Sequence, residues 1–384
     1  MSERATGGTT PPAAGGRLRV AHIIHSLGPG GAESVLVELA DVADSAGLDL
    51  VVIALSPTPT PIHAEALRAR GLPVVEFGFR RWDPRAVPAT VRVLRQHGVH
   101  LVHTHLKHAD LVGAAAGRLL GLPVVSTLHV VEDSPAGRIA RWKRRLGLVV
   151  RRRSASRTIA VSQAQRDWYR SLSNSDRGLV VLPNGVGDPG LTDAEERIRA
   201  RAELGLPDGR LLIVSAALMR PEKGHDLLLD AVSLLPGDLA PIVALAGDGP
   251  LRPALEARVA ADDALRQRVR FLGYRDDVPS LLAAADIVLH TSLADALPTT
   301  LIQALAVGVP VVATRVGGIP DIVTPDTGLL ARPDPVDLAG ALASLIRDDE
   351  QRAMMRKAGR IRYLEHFEAN RWAARLRALY DTVL

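Results

Sequence analysis

Residues 285–318 read ADIVLHTSLADALPTTLIQALAVGVPVVATRVGG. The stretch opens as an apolar strand, passes through a short loop and an almost wholly apolar helix, and ends in a second apolar strand. Strands buried on both faces read as continuous apolar runs, and alternation of such strands with helices is the pattern of a parallel, doubly wound sheet. Pro298 suits the first helical position, where a missing N–H costs nothing. Leu297, Thr299 and Thr300 then present free amides at the helix mouth, where the helix dipole favours an anion. Asp295 stands before that mouth, and Gln303 sits about one turn inside it. Taken alone, the two read as a helix cap and a satisfied buried amide.

The same alternation extends in both directions. Before residue 187 the apolar runs are LRVAHIIHSL (18–27), LDLVVIALS (48–56), PVVEFGF (73–79), HLVHTHL (100–106), PVVSTLHV (123–130), RTIAVS (157–162) and GLVVLPNGV (178–186). Helical patterns lie between them. The pattern lapses into polar and turn residues over 188–208 and then resumes with RLLIVSAAL (210–218) and APIVALAGDG (240–249). The fold class is therefore α/β, with two facing Rossmann-like domains. The expected boundaries are a disordered tail at 1–16, an N-terminal domain at 17–187, a linker region at 188–208 and a C-terminal domain at 209–365. The last segment, 366–384, is an amphipathic helix expected to pack back on the N-terminal domain. In such sheets ligands bind at the carboxyl ends of the strands.

A length of 384 residues suits two domains. The absence of cysteine removes disulfides, thiolate metal sites and a Cys nucleophile, and fits a reducing cytoplasm. The N-terminal residues lack the long apolar core of a signal peptide, and no apolar run approaches the ~18 residues of a membrane span. Charge is uneven: residues 1–187 hold 24 Lys and Arg against 14 Asp and Glu, and 188–384 hold 23 against 28. The basic excess lies largely in RIARWKRRLGLVVRRRSASR (138–157), which contains Trp142 and no acid. This composition suits an anionic membrane surface, with the tryptophan at the interface. Aromatic content of 3% and an acidic second half argue against nucleic acid as a partner.

Several loops after strands carry groups suited to a phosphorylated ligand. Arg220 and Lys223 lie at the end of the first strand of the second series, where two cations suit a diphosphate leaving group. Gly247, Asp248 and Gly249 form a turn before a further helix. Gly30 and Gly31 allow close approach of a ligand, but Glu33 stands where a dinucleotide fingerprint needs its third glycine. His103, His105, His108 and His129 gather at strand ends. His103 and His105 fall on one face of their strand. Without a carboxylate pattern they make poor metal spacing, so no metal site is assigned. His129 is the one best placed to face a cleft.

Together LGPGGAES, STLH, LPNGV, MRPEKGHDLLLDA, AGDGPL, FLGYRDDV and the 285–323 block stand in an order that resembles the retaining glycosyltransferases of family 4, over roughly 17–384. The resemblance implies the GT-B architecture, with a deep cleft between the domains. It implies transfer of a hexosyl group from a nucleotide-diphosphate sugar, UDP- or GDP-linked, to a glycan or lipid-linked acceptor. The configuration is retained and no bound metal or other cofactor is needed. The implied setting is cell-surface polysaccharide or glycolipid assembly in the cytoplasm, with peripheral contact to the inner face of the membrane. The family's two donor-binding glutamates fall on Asp295, for sugar hydroxyls, and Gln303, for the ribose. Its lysine falls on Lys223 and its sugar-facing histidine on His129. Its glycine turn falls on Gly30 and Gly31, and its NGV turn on Asn184 and Gly185. Its arginine falls on Leu218, with Arg220 nearby but out of register. A nucleotide-sugar epimerase and a non-catalytic sugar-nucleotide-binding protein are the competing readings.

Overall fold

The structure, a computed structural model, describes residues 16–130, 137–191, 194–203 and 209–384. The chain divides into two compact units: residues up to Gly187 together with Ala369–Leu384, and Asp188–Glu368.

The first unit holds strands β1 (Leu18–Ile24), β2 (Leu48–Ala54), β3 (Val74–Glu76), β4 (Leu101–His105), β5 (Val124–Leu128), β6 (Arg157–Ala160) and β7 (Leu179–Val181). They form one sheet in the order β3-β2-β1-β4-β5-β6-β7. The second holds β8 (Leu212–Ala216), β9 (Ile242–Ala246), β10 (Val269–Gly273), β11 (Ile287–His290), β12 (Val311–Thr314) and β13 (Gly328–Ala331), in the order β10-β9-β8-β11-β12-β13. Every pairing is parallel. The apolar runs become strands because helices cover both faces: every residue of β8, β9, β11 and β12 is buried. Strand order reverses between β1 and β4 and between β8 and β11. At such a switch point the crossovers leave in opposite directions and open a crevice at the carboxyl ends. Each unit thus has one topologically favoured ligand site.

At three places singled out in the sequence the structure adds detail. The segment expected to be a linker, 188–208, contains the helix Ala194–Glu203 inside the second unit. Its Arg197 and Arg201 bond Asp286, which also accepts from the Leu212 amide at 2.7 Å. Polar composition hid this helix because its contacts are ion pairs. The terminal helix, Ala369–Asp381, belongs to the first unit and buries Trp372, Leu376 and Tyr380 against Leu18, Leu39 and Leu101. Gly185 seats the indole: a Cβ there would lie 2.6 Å from Trp372 Cβ. Third, Arg151 in the basic run is not a solvated cation. It is buried, bonded to Asp110 and to Ser126 Oγ, on the inner face of the helix Arg138–Ser154. The tail, apart from its last residue, lies outside the described residues.

Candidate functional site

The second unit's switch point gathers the loops after β8, β9 and β11. After β8 the chain turns tightly, with the Arg220 amide bonded to the Leu218 carbonyl at 2.8 Å, and enters the 3₁₀ turn Pro221–Lys223. This aims Lys223 at the loop after β11. Its Nζ lies 2.5 Å from Asp295 Oδ2. His290 Nε2, at the end of β11, lies 3.3 Å from the same oxygen, and the Ser292 hydroxyl donates to it at 3.2 Å. Burial alone would raise the Asp295 carboxyl. The His290 hydrogen bond and the Lys223 charge outweigh it and hold the group well below the usual carboxylate range. Asp295 is therefore a cation holder and not a helix cap.

Backbone contacts bring the other loops in. A Cβ on Gly317 (φ 51) would fall 1.8 Å from the Asp295 carbonyl oxygen, and one on Gly247 (φ 137) would fall 2.0 Å from that of Ala217. Only glycine allows both the left-handed backbone and these approaches. The Met219 amide bonds the Asp248 carbonyl at 2.9 Å, which joins the 247–249 turn to the 217–220 turn. Asp248 caps its own turn at the Gly249 amide and pairs with Arg252. Arg220 is exposed and has no ion pair among the described residues.

The helix begins at Thr299, one residue later than expected, and Pro298 is its N-cap with extended backbone. No side chain caps it. Among the described residues no backbone carbonyl takes the amides of Leu297, Thr299 or Thr300. The Thr300 hydroxyl bonds the Ala216 carbonyl at the end of β8, at 3.2 Å. Gln303 is half-buried and its side-chain amide bonds no other group among the described residues. Lys223, Asp295, Gly247 and Thr300 therefore converge on one strand-end region, with open amides at its helix mouth.

The first unit's switch point is neutral. His129, after β5, bonds His105 at 2.8 Å, and His105 bonds His22 at 2.9 Å. His103 bonds the Tyr380 and Thr127 hydroxyls. His108 lies apart, 3.4 Å from His25. Gly30 is extended and Gly31 opens the helix Gly31–Val42, where a Cβ would meet nothing within 4 Å. Leu218 is half-buried. Sequence reasoning passed over His22, His290 and Ser292. The available signal was a polar residue inside or ending an otherwise apolar strand. It also passed over His225 of the second unit, buried near His290 and Lys223 with neither ring nitrogen partnered among the described residues.

Residues 29–188 match the family described as Glycosyltransferase Family 4, and residues 196–362 the family described as Glycosyl transferases group 1. The 2-deoxystreptamine N-acetyl-D-glucosaminyltransferase of Streptomyces fradiae is 32% identical, over 70% of this chain and 68% of its own length. The UDP-Gal:alpha-D-GlcNAc-diphosphoundecaprenol alpha-1,3-galactosyltransferase of Escherichia coli is 23% identical, over 78% of this chain and 79% of its own. Among solved structures, Anabaena Alr3699/HepE in complex with UDP-glucose superposes with a TM-score of 0.82 at 24% identity, covering 96% of this chain and 100% of that one. That likeness is one of fold.

The depressed Asp295 carboxyl has a signed consequence. A carboxylate stabilised in the fold contributes fully above the unfolded group's pKa, and the contribution is lost as pH falls toward the folded value. Asp295→Asn is expected to lose about 3 kcal/mol of stability at pH 7, the scale for breaking a largely buried pair. Urea unfolding at stepped pH should show that deficit unchanged down to about pH 5 and narrowing below about pH 4. A deficit that widened in acid would reverse the assignment.

Proposed function

The chain belongs to the group 1 glycosyl transferases of glycosyltransferase family 4, and from that premise we propose that it moves a hexosyl group from a UDP-linked sugar to a glycan or lipid-linked acceptor. Anomeric configuration is retained and no metal is required. The observation that carries this reading is the Lys223–Asp295 pair at the β8/β11 switch point, beside a helix mouth with open amides.

Departure of a nucleoside diphosphate puts negative charge on the leaving oxygen, and prearranged positive groups lower the barrier most. Lys223 supplies a full charge, and the amides of Thr299 and Thr300 supply the positive end of a helix dipole. They occupy the role a divalent cation fills elsewhere. Arg220 adds a solvated cation at the same strand end. Asp295, with one oxygen held by Lys223, His290 and Ser292, has acceptor capacity left for a sugar hydroxyl. Gln303 offers the ribose a neutral carbonyl where the family offers a carboxylate, a weaker acceptor by about 1–2 kcal/mol. The names of the E. coli and Anabaena relatives favour uridine as the base. The relatives' transferase names favour transfer over epimerisation or mere binding.

Lys223→Met keeps the aliphatic stem and removes the charge. It is expected to lower kcat for UDP-hexose transfer by about 10²–10³-fold, with unchanged far-UV circular dichroism. Transfer by the native chain should survive EDTA, and the product's anomeric proton coupling should match the donor's. Turnover in the variant equal to the native rate would remove Lys223 from the mechanism.

Attachment to an anionic membrane surface is part of the same proposal. On the helix Arg138–Ser154, Trp142, Arg145, Val149, Arg152 and Arg153 are exposed, with the indole 62% accessible. No helix among the described residues is long and apolar enough to cross a membrane. Charge reversal of Arg145, Arg152 and Arg153, leaving Arg151 with Asp110, is expected to abolish co-sedimentation with phosphatidylglycerol vesicles. Retained binding would refute the attachment.

A further inference from the structure

Four histidines meet inside the first unit. His22 on β1 is the register partner of His103 on β4, across the switch point, and His105 stacks beside His103. With His129, Thr127 and Asn184 they line one cavity. Three of them form a chain. His129 Nε2 lies 2.8 Å from His105 Nδ1, and His105 Nε2 lies 2.9 Å from His22 Nδ1. His22 Nε2 is buried and bonds nothing among the described residues. No carboxylate bonds any ring of the chain among the described residues. Burial keeps the rings neutral, with His22 down at about 3, His129 at about 4 despite the opposing pull of the Asp110 charge, and His105 well below its ordinary value.

A neutral imidazole carries one N–H and one bare nitrogen. The chain therefore has two possible directions. In one, His22 donates from Nδ1 to His105, His105 donates from Nδ1 to His129, and His129 keeps its proton on Nδ1. In the other, all three protons sit on Nε2, and the His22 N–H is buried with no acceptor. A buried orphan N–H is rarer and costlier than a buried bare acceptor. The first direction wins.

We infer that His22 and His105 are positioning residues that fix His129 as its Nδ1–H tautomer, so that His129 offers its ligand a hydrogen-bond donor and not a base. The inference rests on the reading of His129 as the sugar-facing residue of a glycosyltransferase, and it specifies that contact. The ligand atom at His129 is an oxygen that accepts, and His129 takes no proton from the acceptor substrate. A metal is the rival use of these rings, since His22, His103 and His105 each bring a nitrogen within 4.8 Å of the others. Both nitrogens of His103 and of His105 are already hydrogen-bonded, so ligation would break bonds that the fold has made.

The test is two-bond ¹H–¹⁵N correlation on the full chain labelled with ¹⁵N-histidine, with His129 assigned by its loss in His129→Gln. The native protein is expected to show His22, His105 and His129 as Nδ1–H tautomers. His22→Asn keeps an N–H donor near the Nδ1 position and should preserve both the tautomer and kcat/KM. His22→Met offers only a weak acceptor. It should move His129 toward the Nε2–H form and lower kcat/KM about tenfold, the worth of one hydrogen bond. An Nε2–H form of His129 in the native chain would overturn the inference. So would equal loss of rate in both variants with the tautomer unmoved, or stoichiometric zinc in the purified protein. The spectra need neither donor nor acceptor. A native chain with the expected tautomers that transferred no sugar would therefore sink the transferase reading alone.

Discussion

Asp295 holds the Lys223 ammonium in place at 2.5 Å, and on the proposed reading this sets a cation ready for a departing diphosphate. Leaving either charge uncompensated in a part-buried site would be costly, so the pair needs both partners positioned by something rigid. That rigidity comes from β8 and β11, which are neighbours in the sheet although 70 residues of chain lie between Ala216 and Ile287. Each strand ends by delivering one partner. Gly317 and Gly247 let adjoining backbones close on the same region, and His290 and Ser292 hold the carboxylate from behind. The helix mouth at Thr299 then faces a site whose charges are already balanced. On the proposed reading, a diphosphate entering it exchanges one anionic partner of Lys223 for another.

The two switch points are built for opposite chemistry. The second unit's is ionic. The first unit's is a set of neutral rings and hydroxyls: His22, His103, His105, His129, Thr127 and Tyr380. Such groups orient hydroxyls without altering their charge. Histidine kept neutral by burial is a directional donor or acceptor and no longer a switch near pH 7. The division fits the proposed transfer, in which charge changes where the donor binds while the acceptor needs alignment.

Local pattern made much of this legible. Continuous apolar runs between helical segments specified parallel sheets, and the 285–318 stretch placed Asp295 and the helix mouth at a strand end. Lys223 followed from a motif. What stayed hidden depends on pairing across the sheet. Nothing in VAHIIH says that His22 will lie beside His103, because that follows from β1 and β4 being neighbours while β2 and β3 lie to the other side. Arg151 reads as one of three equivalent arginines. Its partner Asp110 is 41 residues earlier, and only the packed helix decides that this one turns inward. The helix Ala194–Glu203 was obscured for the same reason, since its anchor Asp286 lies in the strand-end segment far along the chain.

The most direct measurement is calorimetric titration of native protein and Lys223→Met with UDP and with uridine. If Lys223 serves the diphosphate, the variant should lose about 10–100-fold in UDP affinity, the range of a charge-assisted hydrogen bond, and bind uridine as the native protein does. Equal losses for both ligands, or none for UDP, would contradict the account.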